Sequence, residues 1–140
     1  QQYYAHPRNS FWRILGELLN IPENSGYQDR LSHLDRANIG LWDVIGNCLR
    51  KGSLDSDINK DSIVVNDFAG FFKHHTLIES VFFNGQTAAK LYKTHVLPTL
   101  PPKSQQLKMT TLYSTSPANA TYSFEQKLQN WQRISPVITA

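Results

Sequence analysis

Between Phe11 and Leu19 the apolar residues Phe11, Ile14, Leu15, Leu18 and Leu19 recur at helical spacing and give one apolar face. The pattern predicts a helix that opens near Asn9 or Ser10. It ends in Asn20-Ile21-Pro22-Glu23-Asn24-Ser25-Gly26, where turn formers crowd together. A second, less contrasted helix is predicted from Tyr27 to about Ala37, with Tyr27, Leu31 and Leu34 on one side. Ile39-Gly40-Leu41-Trp42-Asp43-Val44-Ile45 then changes character. It is almost continuously apolar, runs on toward Cys48 and Leu49, and is expected to be a buried strand. A polar loop follows over 50–57, and Ile63-Val64-Val65 is too short to assign. Asn66 or Asp67 can cap a third helix carrying Phe68, Phe71, Phe72 and His75 on one face.

The clearest strand is Ile78 to Phe83, closed by Asn84-Gly85. A helix from about Gln86 to His95 follows, with Ala88, Leu91 and Tyr92 inward, and Pro98, Pro101 and Pro102 mark a loop. Lys108-Met109-Thr110-Thr111-Leu112-Tyr113 reads as a strand that runs into the small, polar stretch 114–120. Ser123 with Gln126 makes a capping box for a last helix whose buried face carries Phe124, Leu128 and Trp131. Helices alternating with strands of continuous apolar character predict an α/β fold around a short, mainly parallel sheet covered on both faces. Ligands of such sheets bind beyond the carboxyl ends of the strands, so the polar stretches 52–57, 84–86 and 114–120 are expected at one edge.

The chain has 140 residues, enough for one domain with a genuine core, and 40% of them are hydrophobic. No stretch approaches the roughly 20 apolar residues that span a bilayer, so no membrane association is expected. The single cysteine, Cys48, cannot close an internal disulfide, and with scattered histidines it gives no metal-ligand spacing, so no metal or cofactor is expected. A net charge of +3 is compatible with a polyanionic partner without requiring one. Dinucleotide-binding, phosphate-loop, zinc-protease and serine-hydrolase signatures are all absent.

Chemistry concentrates at the start of the chain. Tyr3-Tyr4-Ala5-His6-Pro7-Arg8-Asn9 joins two rings, a basic residue and an amide in a segment that Pro7 keeps out of helix. Tyr4 offers a stacking face if its ring lies beside a pocket, and otherwise covers the core. Asn9 is either the cap of the first helix or an amide that holds a water or grips a base edge. His6 is a loop histidine or a catalytic base. Asp55, in Gly52-Ser53-Leu54-Asp55-Ser56, forms a local turn or acts on a water. Asn84 closes a strand or reads a ligand edge. Ser114-Thr115-Ser116-Pro117-Ala118-Asn119-Ala120 is a tight connection or a phosphate contact built from hydroxyls and backbone N–H groups.

Five stretches in series resemble the uracil-DNA glycosylase superfamily. They are Tyr3-Tyr4-Ala5-His6-Pro7-Arg8-Asn9-x-Phe11-Trp12, the 39–45 run, Gly52-Ser53-Leu54-Asp55-Ser56-x-Ile58, Phe83-Asn84-Gly85-x-Thr87-Ala88 and the 114–120 loop. The Ser-Thr-Ser-Pro-Ala and Gly-Ser-Leu-Asp-Ser combinations resemble its hypoxanthine branch more than its mismatch-uracil branch. The resemblance implies a three-layer α/β/α sandwich around a short, mainly parallel sheet, with residues 1–140 as a single glycosylase domain. The family's first motif, a strand and a Gly/Ser/Pro loop, is expected just before Gln1, and Tyr113 stands where relatives usually have Pro.

The implied activity is that of a monofunctional DNA glycosylase of base-excision repair. Such an enzyme flips a deaminated base, here hypoxanthine, from the duplex and hydrolyses its N-glycosidic bond. Asn9 and Asp55 are the implied catalytic residues, and Tyr4, His6 and Asn84 the base-binding ones. Arg8, Ser114, Thr115, Ser116, Pro117, Ala118 and Asn119 are implied to contact DNA. The implied partner is DNA containing a deaminated base, bound by a monomer in a bacterial-type cytoplasm at the nucleoid. Two alternatives are a uracil or mismatch-uracil glycosylase and a damaged-DNA-binding protein of the same fold that does not cut.

Overall fold

A computed structural model of the chain describes residues 3–43, 45–47 and 64–135. These fall into two compact units, one built from 1–41 and 112–140 and one from 42–111.

The first unit opens with helix α1, Phe11–Leu19, which buries Phe11, Ile14 and Leu15 and leaves Leu18 and Leu19 half-buried. Ser10 occupies the cap position, but its hydroxyl makes no cap bond. The oxygen at the helix start comes from Asn9, whose Oδ1 accepts from the Phe11 N–H at 3.0 Å. At the other end Asn20 turns into the left-handed region (φ 58°), and its N–H donates to the Gly16 carbonyl. Helix α2, Tyr27–Arg36, follows as the spacing predicts and buries Leu34. The later part of this unit runs from Leu112 to helix α6, Phe124–Trp131. Its capping box is complete: Ser123 Oγ accepts from Gln126 N at 3.2 Å, and Gln126 Oε1 accepts from Ser123 N at 2.8 Å. Helix α1 packs on α6, with Phe11 edge-on to Trp131 at 5.7 Å between ring centres.

The second unit departs from expectation at its start. Residues 39–43 are not a buried strand. Among the described residues of the run only Ile45 lies in a strand, β1 (Ile45–Asn47), paired antiparallel with Val64–Val65, β2. Trp42 instead lays its ring on Phe68 and Phe71, at 4.7 and 4.4 Å, and stays 38% exposed. Apolar content made the run look like a strand, but these rings bury their surface by aromatic contact, which needs no sheet partner.

Asp67 caps helix α3, Phe68–His74, by accepting from Gly70 N at 3.0 Å, while Asn66 Nδ2 donates to the Asp43 carbonyl. Strand β3, Ser80–Asn84, and strand β4, Lys108–Leu112, form a parallel pair. Gly85, at φ 98°, turns the chain from β3 into helix α4, Gln86–Leu91, a conformation that a side chain would strain. The helical path continues through a π turn, Tyr92–Val96, and a 3-10 turn, Leu97–Thr99. The proline-rich stretch expected as loop also makes a short helix α5, Pro102–Gln105, because proline is preset for a first helical turn. Phe68, Phe72, Phe83, Ala89, Tyr92 and Val96 form the core of this unit. The α/β class expected from the sequence therefore holds, with one parallel and one antiparallel strand pair among the described residues.

Burial pushes the Tyr92 phenol up from 10.0 to about 12. A raised folded pKa means that the native state keeps a proton which the unfolded chain releases. The associated stability is therefore full below pH 10 and lost as the pH climbs through about 12. Tyr92→Phe removes this loss. The melting-temperature advantage of the wild type over Tyr92→Phe should shrink steadily across that window, and a pH-independent difference would contradict the assignment.

Candidate functional site

The opening segment is held in a fixed conformation by its backbone and by α1 and α2. Tyr3 N donates to the Tyr27 hydroxyl at 3.0 Å, and the Tyr3 carbonyl accepts from the Trp12 indole at 3.1 Å. Tyr4 adopts a left-handed backbone (φ 58°), and its ring stacks on Phe11 at 4.1 Å with 24° between planes. A tight turn follows, closed by Asn9 N donating to the His6 carbonyl at 2.9 Å. Arg8 N donates to His6 Nδ1 at 3.1 Å, which places the proton of the neutral imidazole on Nε2. Tyr4, His6, Asn9, Trp12 and Tyr27 line an open groove of about 940 Å³. Arg8 is exposed.

Ser10 then joins this segment to the 114–120 loop. Its N–H and its hydroxyl both donate to the Thr115 carbonyl, at 3.1 and 3.2 Å. Two stretches 105 residues apart are thereby fixed to one framework. Within the loop, Ser114 Oγ accepts from Ser116 N and Ser116 Oγ accepts from Ala118 N, each at 3.1 Å. Asn119 donates from its backbone to the Ser116 carbonyl and from Nδ2 to the Ser114 carbonyl. The N–H groups of 116, 118 and 119 are thus committed inside the loop. The serine hydroxyls, which accept here, retain their own O–H protons to donate. Thr115 is 1% exposed and serves the framework through its carbonyl, whereas Pro117 and Ala118 are exposed at the tip.

Under the loop lies Lys127, a residue the sequence reading did not single out. It is only 6% exposed, and its ammonium donates to the Ser116 carbonyl at 3.4 Å. Burial lowers its pKa. The signal was present in the spacing: Lys127 sits three residues after Phe124 and four before Trp131, on the helix row that faces inward. Phe124, predicted inward, is half-buried beneath the Arg13 guanidinium, 3.8 Å from its ring centre.

Asn84 is the last residue of β3, half-buried, directly before the turn at Gly85 in the second unit. Asp55 and its 52–57 stretch lie outside the described residues. Among the described residues no group of three His, Cys, Asp or Glu side chains is placed to hold a metal ion, and no helix is long and apolar enough to cross a membrane.

Comparison with known proteins adds an independent line. No family model matches the chain. A hypoxanthine DNA glycosylase of Methanosarcina acetivorans is 37% identical over 108 residues, and one of Methanosarcina barkeri is 39% identical over 90. These matches cover 70% and 64% of this chain. They span 66% and 56% of the relatives' own lengths. A solution NMR structure of a candidate uracil DNA glycosylase from Methanosarcina acetivorans superposes with a TM-score of 0.77 at 29% identity, covering all of this chain and 81% of that one. The chain belongs to the uracil-DNA glycosylase superfamily.

Membership of the glycosylase superfamily gives the geometry a frame. Of the stretches that carried the family resemblance, the opening turn and the 114–120 loop meet at the Ser10–Thr115 contact. The features that fix this glycosylase-type framework are Ser10, Tyr27 and Lys127. Sequence reasoning passed over them because each acts through a hydrogen bond to backbone at a distant position; the spacing shows that Lys127 lies on the inward row, but no local pattern records the three partners.

Proposed function

We propose that the chain is the working part of a monofunctional DNA glycosylase that removes a deaminated base, hypoxanthine first, and leaves an abasic site. The observation that carries this reading is the pair of hydrogen bonds from Ser10 to Thr115. It holds a ring, an imidazole and an amide (Tyr4, His6, Asn9) on one framework with a loop whose Ser114 and Ser116 hydroxyls keep their protons to donate. In this reading the flipped base stacks on Tyr4. The Nε2–H of His6 donates to the carbonyl oxygen of the base. Asn9 orients the attacking water. The water oxygen bonds to the sugar C1′ as the N-glycosidic bond breaks. The base departs with the bonding electrons as an anion that a neighbouring N–H donor stabilises, then takes up a proton. Ser114, Ser116 and Asn119, with Arg8, hold the phosphates on either side.

Lys127 is turned into the loop rather than into the groove, so the reading includes no Schiff base and no strand cleavage. We further assign residues 1–140 to a single glycosylase domain acting as a monomer on chromosomal DNA in the cytoplasm. The solved relative, which covers the whole chain, supports the single domain. It also supports uracil as a second substrate, since it is described as a candidate uracil enzyme. Duplexes carrying deoxyinosine or deoxyuridine are incubated with the protein and then treated with alkali. Cleavage at deoxyinosine is expected, with weaker cleavage at deoxyuridine. Intact strands from both would leave only a binding protein of this fold.

A further inference from the structure

The chain enters the 114–120 loop at Tyr113 and leaves it toward α6 at Tyr122, and these two rings close the base of the loop. They stack face to face at 3.8 Å with 6° between planes. The stack is anchored from below. Tyr113 N donates to Asn130 Oδ1 at 2.8 Å, and the Tyr113 carbonyl accepts from the Trp131 indole at 2.7 Å. Arg133 is oriented by the same helix, its Nε donating to the Asn130 carbonyl at 3.2 Å. Tyr113, Tyr122, Gln126, Gln129, Asn130 and Arg133 together line an open pocket of about 410 Å³. No carboxylate is among these residues. Flat rings, side-chain amides and a guanidinium are the set that recognises a nucleotide: the base lies on a ring, the amides meet its polar edge, and the guanidinium takes a phosphate.

We propose that this pocket is a second nucleotide subsite, holding one nucleotide of the DNA strand that flanks the extruded base. That the occupant is DNA rests on the glycosylase reading above; that a nucleotide fits rests on the pocket. Its position favours the strand over a free mononucleotide, because Tyr113 and Tyr122 are the two ends of the loop assigned to phosphate contact. A strand held by that loop continues past its base. Tyr113 thereby gains a role: it supplies half of the platform.

The test measures binding apart from turnover. A labelled duplex carrying a reduced abasic analogue, which the enzyme cannot process, is titrated by fluorescence anisotropy over a series of salt concentrations. Arg133→Gln is expected to weaken binding several-fold at low salt and to reduce the slope of log affinity against log salt by about one, the loss of one phosphate contact. Tyr122→Leu is expected to weaken binding about tenfold, and Tyr122→Phe to restore most of it, since the phenyl ring keeps the stacking face. Thermal melts of all three identify any loss that comes from unfolding, and Arg133, an exposed side chain, gives a variant with little risk to the fold. Wild-type affinity and salt slope in both Arg133→Gln and Tyr122→Leu would overturn the subsite, as would absence of DNA binding by the wild type. Base release from a deoxyinosine duplex is measured in parallel. Release with unchanged binding by the variants removes the subsite alone, and weakened binding without release removes the glycosylase reading alone.

Discussion

Asn9→Ala should slow base release at least ~100-fold and at the same time cost roughly 1 kcal/mol of stability. The two losses have different origins. The side-chain oxygen accepts from the Phe11 N–H at the start of α1, so truncation leaves that donor without its cap. The amide also lines the groove beside His6 and Tyr4, where a water aligned for attack would need an uncharged group to hold it. A group that orients a reacting water, or stabilises developing charge, contributes on the order of 10²–10³ in rate. Asn9→Ser separates the two. A serine oxygen can still accept from Phe11 N and ranks with Asn as a cap, so the melt should stay within a few tenths of a kcal/mol of wild type. Its hydroxyl is too short to hold the same water, so release should remain as slow as in Asn9→Ala. Wild-type release by Asn9→Ser would reduce Asn9 to a helix cap.

That both readings of Asn9 stood open in the sequence illustrates what a linear pattern can and cannot carry. The helices were legible where the information is local. The spacing of Phe11, Ile14 and Leu15 predicts α1, and Ser123 with Gln126 predicts the start of α6 to the residue. The 39–45 run was misread because apolar content specifies burial, while a strand also needs a partner, and among the described residues β1 pairs with the two residues of β2 alone. The proline stretch was misread in the opposite sense, since proline both ends a helix and can begin one. At the site, residue types alone singled out Tyr4, His6, Asn9 and the 114–120 loop. What joins them was not legible. Ser10 looks like an ordinary cap residue, and only the fold shows its hydroxyl spent on Thr115 instead. Lys127 is legible only to a reader willing to bury a lysine, which is costly unless its ammonium finds an acceptor, as it does in Ser116.

Phe11→Ala should be the most damaging single change to the first unit, and its effect should reach the proposed base platform. The ring is 3% exposed and touches three others: Tyr4 at 4.1 Å, Trp12 at 4.9 Å and Trp131 at 5.7 Å. Truncating a buried Phe to Ala costs about 3–5 kcal/mol through lost transfer energy and the cavity left behind. The melting temperature should fall on the order of 10 °C or more. Tyr4 carries a second consequence. A left-handed backbone is unfavourable for a tyrosine, and it persists only while its surroundings hold it. Phe11 is the face against which its ring rests, so removing Phe11 frees Tyr4 to leave the groove. Affinity for a lesion duplex, measured at a temperature where the variant is still folded, should then drop in Phe11→Ala about as far as in Tyr4→Ala. The double variant should bind no worse than either single, because both remove the same platform. Phe11→Leu, which retains most of the volume, should cost much less stability and keep part of the affinity. Additive losses in the double variant would show that Tyr4 holds its position without Phe11.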